Sequence, residues 1–224
     1  INNLKSLNIF GKVEYDLVSE GSDKKVLNIT VSEKPTGEIF ASAGAGTQGS
    51  TIGFGVKENN FLGKNISLDT NLRLSDETIK GAFSVINPNW NYSDKTLITS
   101  IESSVTDRLT DYGYETGKTG FTFGSAWEQY DDVIFSPKLR TFYEKLDTNQ
   151  SATANLKKQE GEYFDTSFSY FLDLDKRNQK FQTSSGYRSR FNQSIPLVSE
   201  DKAFYNSYEF TTFNQISDMV TRFS

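Results

Sequence analysis

The chain of 224 residues contains no cysteine and no histidine. The first absence excludes disulfides and thiolate chemistry. The second removes the commonest general base and the usual zinc ligand. No apolar run approaches the roughly eighteen residues that a membrane-spanning helix needs. Apolar residues make up 35% of the chain, and mean hydropathy is −0.55. A net charge of −5 and a pI near 5.0 argue against a nucleic-acid surface. Charges of both signs are interspersed, with no long run of one sign. The opening Ile1-Asn2-Asn3-Leu4 has neither the basic start nor the apolar core of a secretory leader. A cytoplasmic location is not adopted on that ground, because the chain is expected to begin and end inside structural units.

Aromatic residues are plentiful: 18 Phe, 11 Tyr and 2 Trp stand against a single Met. β-Strands favour such residues, and the two interfacial girdles of a membrane β-barrel use them. A barrel strand shows lipid only every second side chain, so a barrel is hydrophilic on average.

Residues 1–34 differ from the rest. Leu4, Leu7 and Phe10 fit one apolar face of a helix end, and Gly11 can stop it. Two alternating runs, 12–18 and 26–31, flank Ser19-Glu20-Gly21-Ser22-Asp23, which is a hairpin signal. A helix end and a hairpin cannot bury a core alone. This region is expected to be the back half of a small α/β module, with Lys34-Pro35-Thr36-Gly37 as its linker to the remaining strands.

From residue 38 onward the pattern is strand, turn, strand. About ten strands are expected, near 38–46, 50–58, 65–74, 78–87, 96–106, 118–128, 132–146, 162–173, 186–197 and 203–213, with another starting at Met219. Ile52, Phe54 and Val56 alternate with Gly53 and Gly55. Ile66, Leu68, Leu72 and Leu74 alternate with Ser67, Asp69, Asn71 and Arg73. Leu97, Ile101 and Val105 oppose Ser100, Glu102 and Ser104. Phe164, Phe168, Tyr170 and Leu172 oppose Asp165, Ser167 and Ser169. A soluble β-sandwich with one wet face gives the same alternation. Longer links at 107–117 and 147–161, on the side of the short links 47–49 and 75–77, favour a barrel with outer loops. Phe54, Phe121, Phe123, Phe168 and Tyr170 on one outward belt would mean membrane. On a stacking platform they would mean a carbohydrate-binding sandwich.

Chemistry-bearing constellations are few. The neighbouring acids Asp131 and Asp132 fit a solvated turn better than acid–base work. Gly44-Ala45-Gly46 and Gly53-Phe54-Gly55 lack the following helix that a phosphate loop requires. No catalytic residue, metal or cofactor is expected, and the chain is not expected to be an enzyme.

Several motifs together resemble the BamA family of outer-membrane assembly factors, within the bacterial surface antigen superfamily. In order they are Thr36-Gly37-Glu38 through Gly44-Ala45-Gly46, Gly53-Phe54-Gly55-Val56, the turn Asn60-Phe61-Leu62-Gly63, and Asn87-Pro88-Asn89-Trp90. Further on, Asp175-Lys176-Arg177-Asn178, Phe181, Thr183 and Gly186 are similar to a family link between the eighth and ninth strands, with Gln182 where the family has Pro. Leu4–Val13 and Val26–Lys34 resemble the end of a POTRA domain.

The resemblance implies a mostly β fold. Residues 1–34 would be the C-terminal half of a POTRA domain in the periplasm. Residues 35–224 would be the first part, about ten strands, of an antiparallel transmembrane β-barrel in the bacterial outer membrane. It implies a protein that folds and inserts outer-membrane proteins, with unfolded outer-membrane proteins, accessory periplasmic lipoproteins and outer-membrane lipid as partners, and no nucleic acid. The implied pairing edge is the first barrel strand: Glu38, Ile39, Phe40, Ala41, Ser42, Ala43, Gly44, Ala45 and Gly46. Its small side chains suggest a weak seam, or else they ease a tight corner. A TamA-like or other translocation barrel of the superfamily is the near alternative, and a passive porin or adhesin barrel a more distant one.

Overall fold

The computed structural model describes residues 4, 7–20, 24–46, 49–179, 183–199, 202–216 and 219–223. The hairpin turn at 21–23 and the motif residues Phe181 and Gln182 lie outside them. Two sheets account for the strands: a two-stranded ribbon and an eleven-stranded sheet.

The ribbon pairs β1 (Phe10–Glu20) with β2 (Lys24–Glu33) in antiparallel fashion. Its register puts Val13, Tyr15 and Leu17 opposite Val31, Ile29 and Leu27. These six share one apolar face, because side chains alternate along a strand. The sequence placed Phe10 on a helix and Gly11 at its end, and both instead belong to β1. Helical geometry is held by Leu4, and a Leu7 N–H to Leu4 carbonyl bond of 3.3 Å closes a turn. Asn8, at φ 56°, then takes the left-handed position at which helical turns end, so the strand starts earlier than the glycine suggests.

The large sheet runs β3 (Gly37–Gly46), β4 (Gly49–Phe61), β5 (Ile66–Ser75), β6 (Thr78–Asn87), β7 (Thr96–Arg108), β8 (Tyr114–Tyr130), β9 (Val133–Thr148), β10 (Gly161–Asp175), β11 (Gly186–Val198), β12 (Tyr205–Ile216) and β13 (Met219–Phe223). Each strand pairs with its chain neighbours, so the sheet is an unbroken antiparallel meander with β3 at one edge and β13 at the other. A short helix α1 (Ala154–Lys158), capped by the Thr153 side chain, sits in the link between β9 and β10.

The register sorts side chains into two chemically distinct faces. Phe54, Leu72, Gly81, Ser103, Thr119, Tyr143 and Phe164 form one cross-strand row. Glu58, Leu68, Val85, Thr99, Phe123, Leu139, Phe168 and Ile195 form another row on that face. The opposite face carries Lys57, Asp69, Ser84, Ser100, Thr122, Arg140, Ser167 and Pro196 in one row. All five diagnostic aromatics, Phe54, Phe121, Phe123, Phe168 and Tyr170, lie on the first face.

That face is apolar yet bare. Phe54, Phe121 and Phe123 are 51%, 45% and 49% exposed, and the buried apolar residues among those described are Ile9, Leu146 and Ala152. A sandwich needs a second sheet packed about 10 Å away. Among the described residues the strands outside the ribbon form one layer, which is not the arrangement of a sandwich. An apolar outer face and a polar inner face on a single sheet is the pattern of a barrel wall in lipid. The strands are also staggered, as barrel closure requires: the row that leaves β4 near its end, at Glu58, crosses β10 at its middle, at Phe168. Among the described residues the sheet is open between β3 and β13.

One expectation changes. The links at 76–77, 109–113, 149–160 and 199–204 lie at one end, and those at 62–65, 88–95, 131–132 and 176–185 at the other. Both ends have short and long links, so the length asymmetry used to favour a barrel is absent. β7, β8 and β9 continue through polar residues such as Thr106, Glu115 and Asp147, which shortens the links on their side.

Candidate functional site

β3 is an edge strand of the described sheet. Every residue from Gly37 to Gly46 is solvent-accessible, and Ile39 reaches 86%. Within the described sheet its hydrogen bonds go to β4 alone, so the other edge of its backbone offers its N–H and C=O groups outward. Ile39, Ala41, Ala43 and Ala45 continue the apolar face beside Val56, Phe54, Ile52 and Ser50. Glu38, Phe40, Ser42, Gly44 and Gly46 face the polar side.

Two of these contacts have a definite packing reason. Phe40 pairs with Gly55, and its ring occupies the space a Cβ on Gly55 would need, 1.9 Å from the ring carbon Cζ. An aromatic laid across a strand glycine restores packing that the glycine cannot supply. Ser42 covers Gly53 in the same way, with Oγ 2.6 Å from the Cβ position. By contrast, Gly44 and Gly46 have no atom within 4 Å of where a Cβ would stand. Nothing in the described chain requires those two glycines to be small.

The entry to β3 is clamped to the exit of β4. The Thr36 hydroxyl donates to Glu58 Oε1, which also accepts the Asn60 backbone N–H at 2.7 Å. Asn60 is 8% exposed, and its Oδ1 accepts the Asn65 N–H at 2.8 Å. Leu62 and Gly63 both adopt left-handed backbone, at φ 58° and 67°. Bonds from Gly63 N to Asn60 O (2.9 Å) and from Lys64 N to Phe61 O (3.2 Å) close the reversal. The Asn60-Phe61-Leu62-Gly63 motif is therefore a self-bonded turn. Phe61 and Leu62 themselves are exposed.

The second motif, Asn87-Pro88-Asn89-Trp90, caps the next turn at the same end. Asn87 Oδ1 accepts the Asn89 N–H at 3.2 Å, and Trp90 N–H donates to the Lys95 carbonyl at 2.8 Å. Trp90 is half exposed and Tyr92 almost fully so.

The third motif is a charged knot. Arg177 grips Asp175 in bidentate fashion, Nε to Oδ1 at 2.7 Å and a terminal nitrogen to Oδ2 at 2.6 Å. That carboxylate holds the Arg177 guanidinium above its ordinary pKa through the hydrogen bond. Asn178 Oδ1 accepts N–H bonds from Ser184 and Ser185 at 3.1 and 3.2 Å. The Thr183 hydroxyl donates to the Gln179 carbonyl. Gly186 has φ 104°, and a Cβ there would stand 2.2 Å from the Lys176 carbonyl oxygen, so only glycine fits. Lys176 binds Asp132 at 2.6 Å, which raises the lysine pKa through the hydrogen bond and ties this link to the 131–132 turn. Asp132, at φ 65°, is thus a turn residue in an ion pair.

The structure brings the pairing-edge residues onto one bare strand and puts all three turn motifs at one end of the wall. It does not bring the motifs into contact as one site. Sequence reading missed the Thr36–Glu58 clamp, the Asp132–Lys176 pair and Asp173–Arg188, whose Nε–Oδ1 distance is 2.8 Å. Partners so far apart in sequence carry no local signal. Among the described residues no group of three or more acidic side chains is placed to hold a metal ion. Among the described residues no helix is long and apolar enough to cross a membrane.

Comparison with known proteins agrees with the wall geometry. The model of the Omp85 superfamily domain matches residues 60–222. No curated protein sequence matches the chain. Among solved structures, it is similar to BamA from Haemophilus ducreyi lacking POTRA domains 1–3, with a TM-score of 0.67 and 17% identity over 97% of this chain and 45% of that one. It is also similar to CdiB from Acinetobacter baumannii, with a TM-score of 0.54 and 11% identity over 98% of this chain and 44% of that one. The chain thus spans less than half the length of either, and the likeness is one of fold.

Proposed function

Because this chain belongs to the Omp85 superfamily, we propose that the protein it comes from folds and inserts other β-barrels into the bacterial outer membrane, the location that family and fold imply. The observation that carries this reading is the sparse side-chain packing of β3, the first strand of the wall. A polypeptide entering hydrocarbon must pair its backbone groups, because each unpaired group costs several kcal/mol there. An exposed strand edge can supply the partners by β-augmentation. β3 offers that edge with little side-chain packing: alanines on the lipid side and, at Gly44 and Gly46, open space on the other. Unfolded outer-membrane proteins would add to this edge and leave as their own strands pair.

In this reading residues 1–34 are the end of a periplasmic POTRA domain. The apolar face of the ribbon, Val13, Tyr15, Leu17, Leu27, Ile29 and Val31, would be covered by the rest of that domain. The outer edge of β2 would be open to accessory lipoproteins or to clients. The Glu58–Thr36 clamp would fix the angle at which the domain meets the wall.

The chain lacks cysteine, so a thiol introduced within it is unique among these residues. S42C in β3, placed in the full-length protein, is expected to crosslink to the terminal strand of a stalled client. S100C in the mid-wall strand β7 is the control. Equal crosslinking at the two positions would sink the pairing-edge reading and favour a translocation barrel or a passive one.

A further inference from the structure

The polar face of the wall is mostly self-neutralised where the strands are tall. Lys118 binds Glu144 at 2.9 Å, and Arg188 binds Asp173. Arg190 binds Glu209. Between these pairs lies a recess of 370 Å³ on β8–β11, whose polar lining includes Thr122, Ser136, Lys138, Arg140, Ser167 and Asn192. No carboxylate lines it. Lys138 and Arg140 stand two residues apart on one strand face, about 7 Å along β9. Neither makes an ion pair or a side-chain hydrogen bond among the described residues. Arg140 instead lies 5.3 Å from the Phe142 ring centre, and the Lys138 stem lies across Gly124.

The recess also gathers hydrogen-bonding groups that take no side-chain partner among the described residues. The register sets Thr122 and Ser167 on either side of Arg140, and sets Ser169 and then Ser194 beside Lys138. Thr122 and Ser136 are only 7% and 6% exposed. The hydroxyls of these residues and the Asn192 amide take no side-chain bond within the described chain. Two unpaired cations ringed by hydroxyl and amide donors, with no acceptor carboxylate, match a group that presents several anionic oxygens. Arginine and lysine with hydroxyl donors bind phosphoryl oxygens in this way. The recess is larger than a phosphate and opens to the aqueous side, which admits a water-soluble carrier.

We infer that this inner-wall recess binds the phosphoryl group of a water-soluble molecule, with Lys138 and Arg140 as its charged ligands. The inference rests on the assignment of the polar face to the barrel interior and does not require the assembly role.

The test uses the full-length protein in lipid nanodiscs, titrated by calorimetry with inorganic phosphate and, separately, with glucose 1-phosphate. Saturable binding is expected, weakened roughly tenfold or more in K138Q/R140Q, since both charge-assisted donors to the phosphoryl oxygens are lost. K80Q, a cation on the same face outside the recess, should bind as the parent does. S169A, which removes a hydroxyl and no charge, should also weaken binding and serves if the double variant fails to fold. Tighter binding of the sugar phosphate identifies a phosphorylated carbohydrate, and equal binding identifies free phosphate; both uphold the site. Unchanged binding in S169A and in the folded double variant overturns it. So does displacement by an equal concentration of chloride, which would reveal a diffuse counterion effect. The crosslinking experiment at β3 is indifferent to all of these outcomes.

Discussion

The wall has two regions of different build. β3, β5 and β6 have ten residues each, whereas β8, β9 and β10 have 17, 16 and 15. At about 3.3 Å per residue, ten residues span roughly 33 Å, close to the hydrocarbon thickness before tilt. The long strands stand well clear of it. The bracing differs too. From β8 to β12 the strands are joined by ion pairs, by the Thr141–Thr166 hydroxyl contact at 3.0 Å, and by Tyr170–Gln193 at 2.9 Å. A run of rings, Trp127, Phe135, Tyr170 and Phe191, links their outer side at centre distances of 5.2 to 6.1 Å. From β3 to β6 such ties are sparse, and Arg73 faces Lys80 directly across β5 and β6. Like charges so placed weaken a sheet. The lesson is that the chain concentrates cohesion in one part of the wall and leaves the part next to the bare edge held by backbone pairing.

The difference can be broken at graded strength. The largest effect is expected from G186A in the braced region. Its Cβ meets the Lys176 carbonyl while the backbone stays left-handed, so a loss of about 3 kcal/mol is expected in urea unfolding of the full-length protein. D173A comes next. It strands the Arg188 guanidinium beside an almost fully buried position, and about 2 kcal/mol is expected, less than for a sealed pair because Arg188 is itself 29% exposed. G44A in β3 should be the smallest, within about 0.5 kcal/mol, because open space surrounds that position. A loss from G44A as large as that from D173A would erase the distinction between the two regions.

Much of this architecture was legible in the sequence. The strand at 78–87 has the predicted bounds, and the faces of β4, β5, β7 and β10 alternate as expected, because a period of two survives in any sheet with unlike sides. β8 proved longer than 118–128. Tyr114 to Gly117 carry no strong alternation, and their pairing with Lys145 to Thr148 is a long-range fact. The turn motifs were visible as motifs, but their chemistry was not. Nothing local says that Asn178 organises its link by accepting two N–H bonds, or that Glu58 reaches back to Thr36. The pairing edge was legible as a run of small residues. That Gly55 is roofed by Phe40 while Gly44 stands in the open required the register.

The stagger of the rows has a consequence for anything that moves along the inner face. Lys57, near the end of β4, and Arg140, in the middle of β9, belong to one row. Stepping sideways from strand to strand along that row therefore changes depth in the bilayer. Circumference and depth become one coordinate, and the polar groups Asp69, Ser84, Ser100 and Thr122 lie along it like treads on a spiral ramp. A molecule that exchanged partners between neighbouring strands would advance through the membrane without crossing from one row to the next.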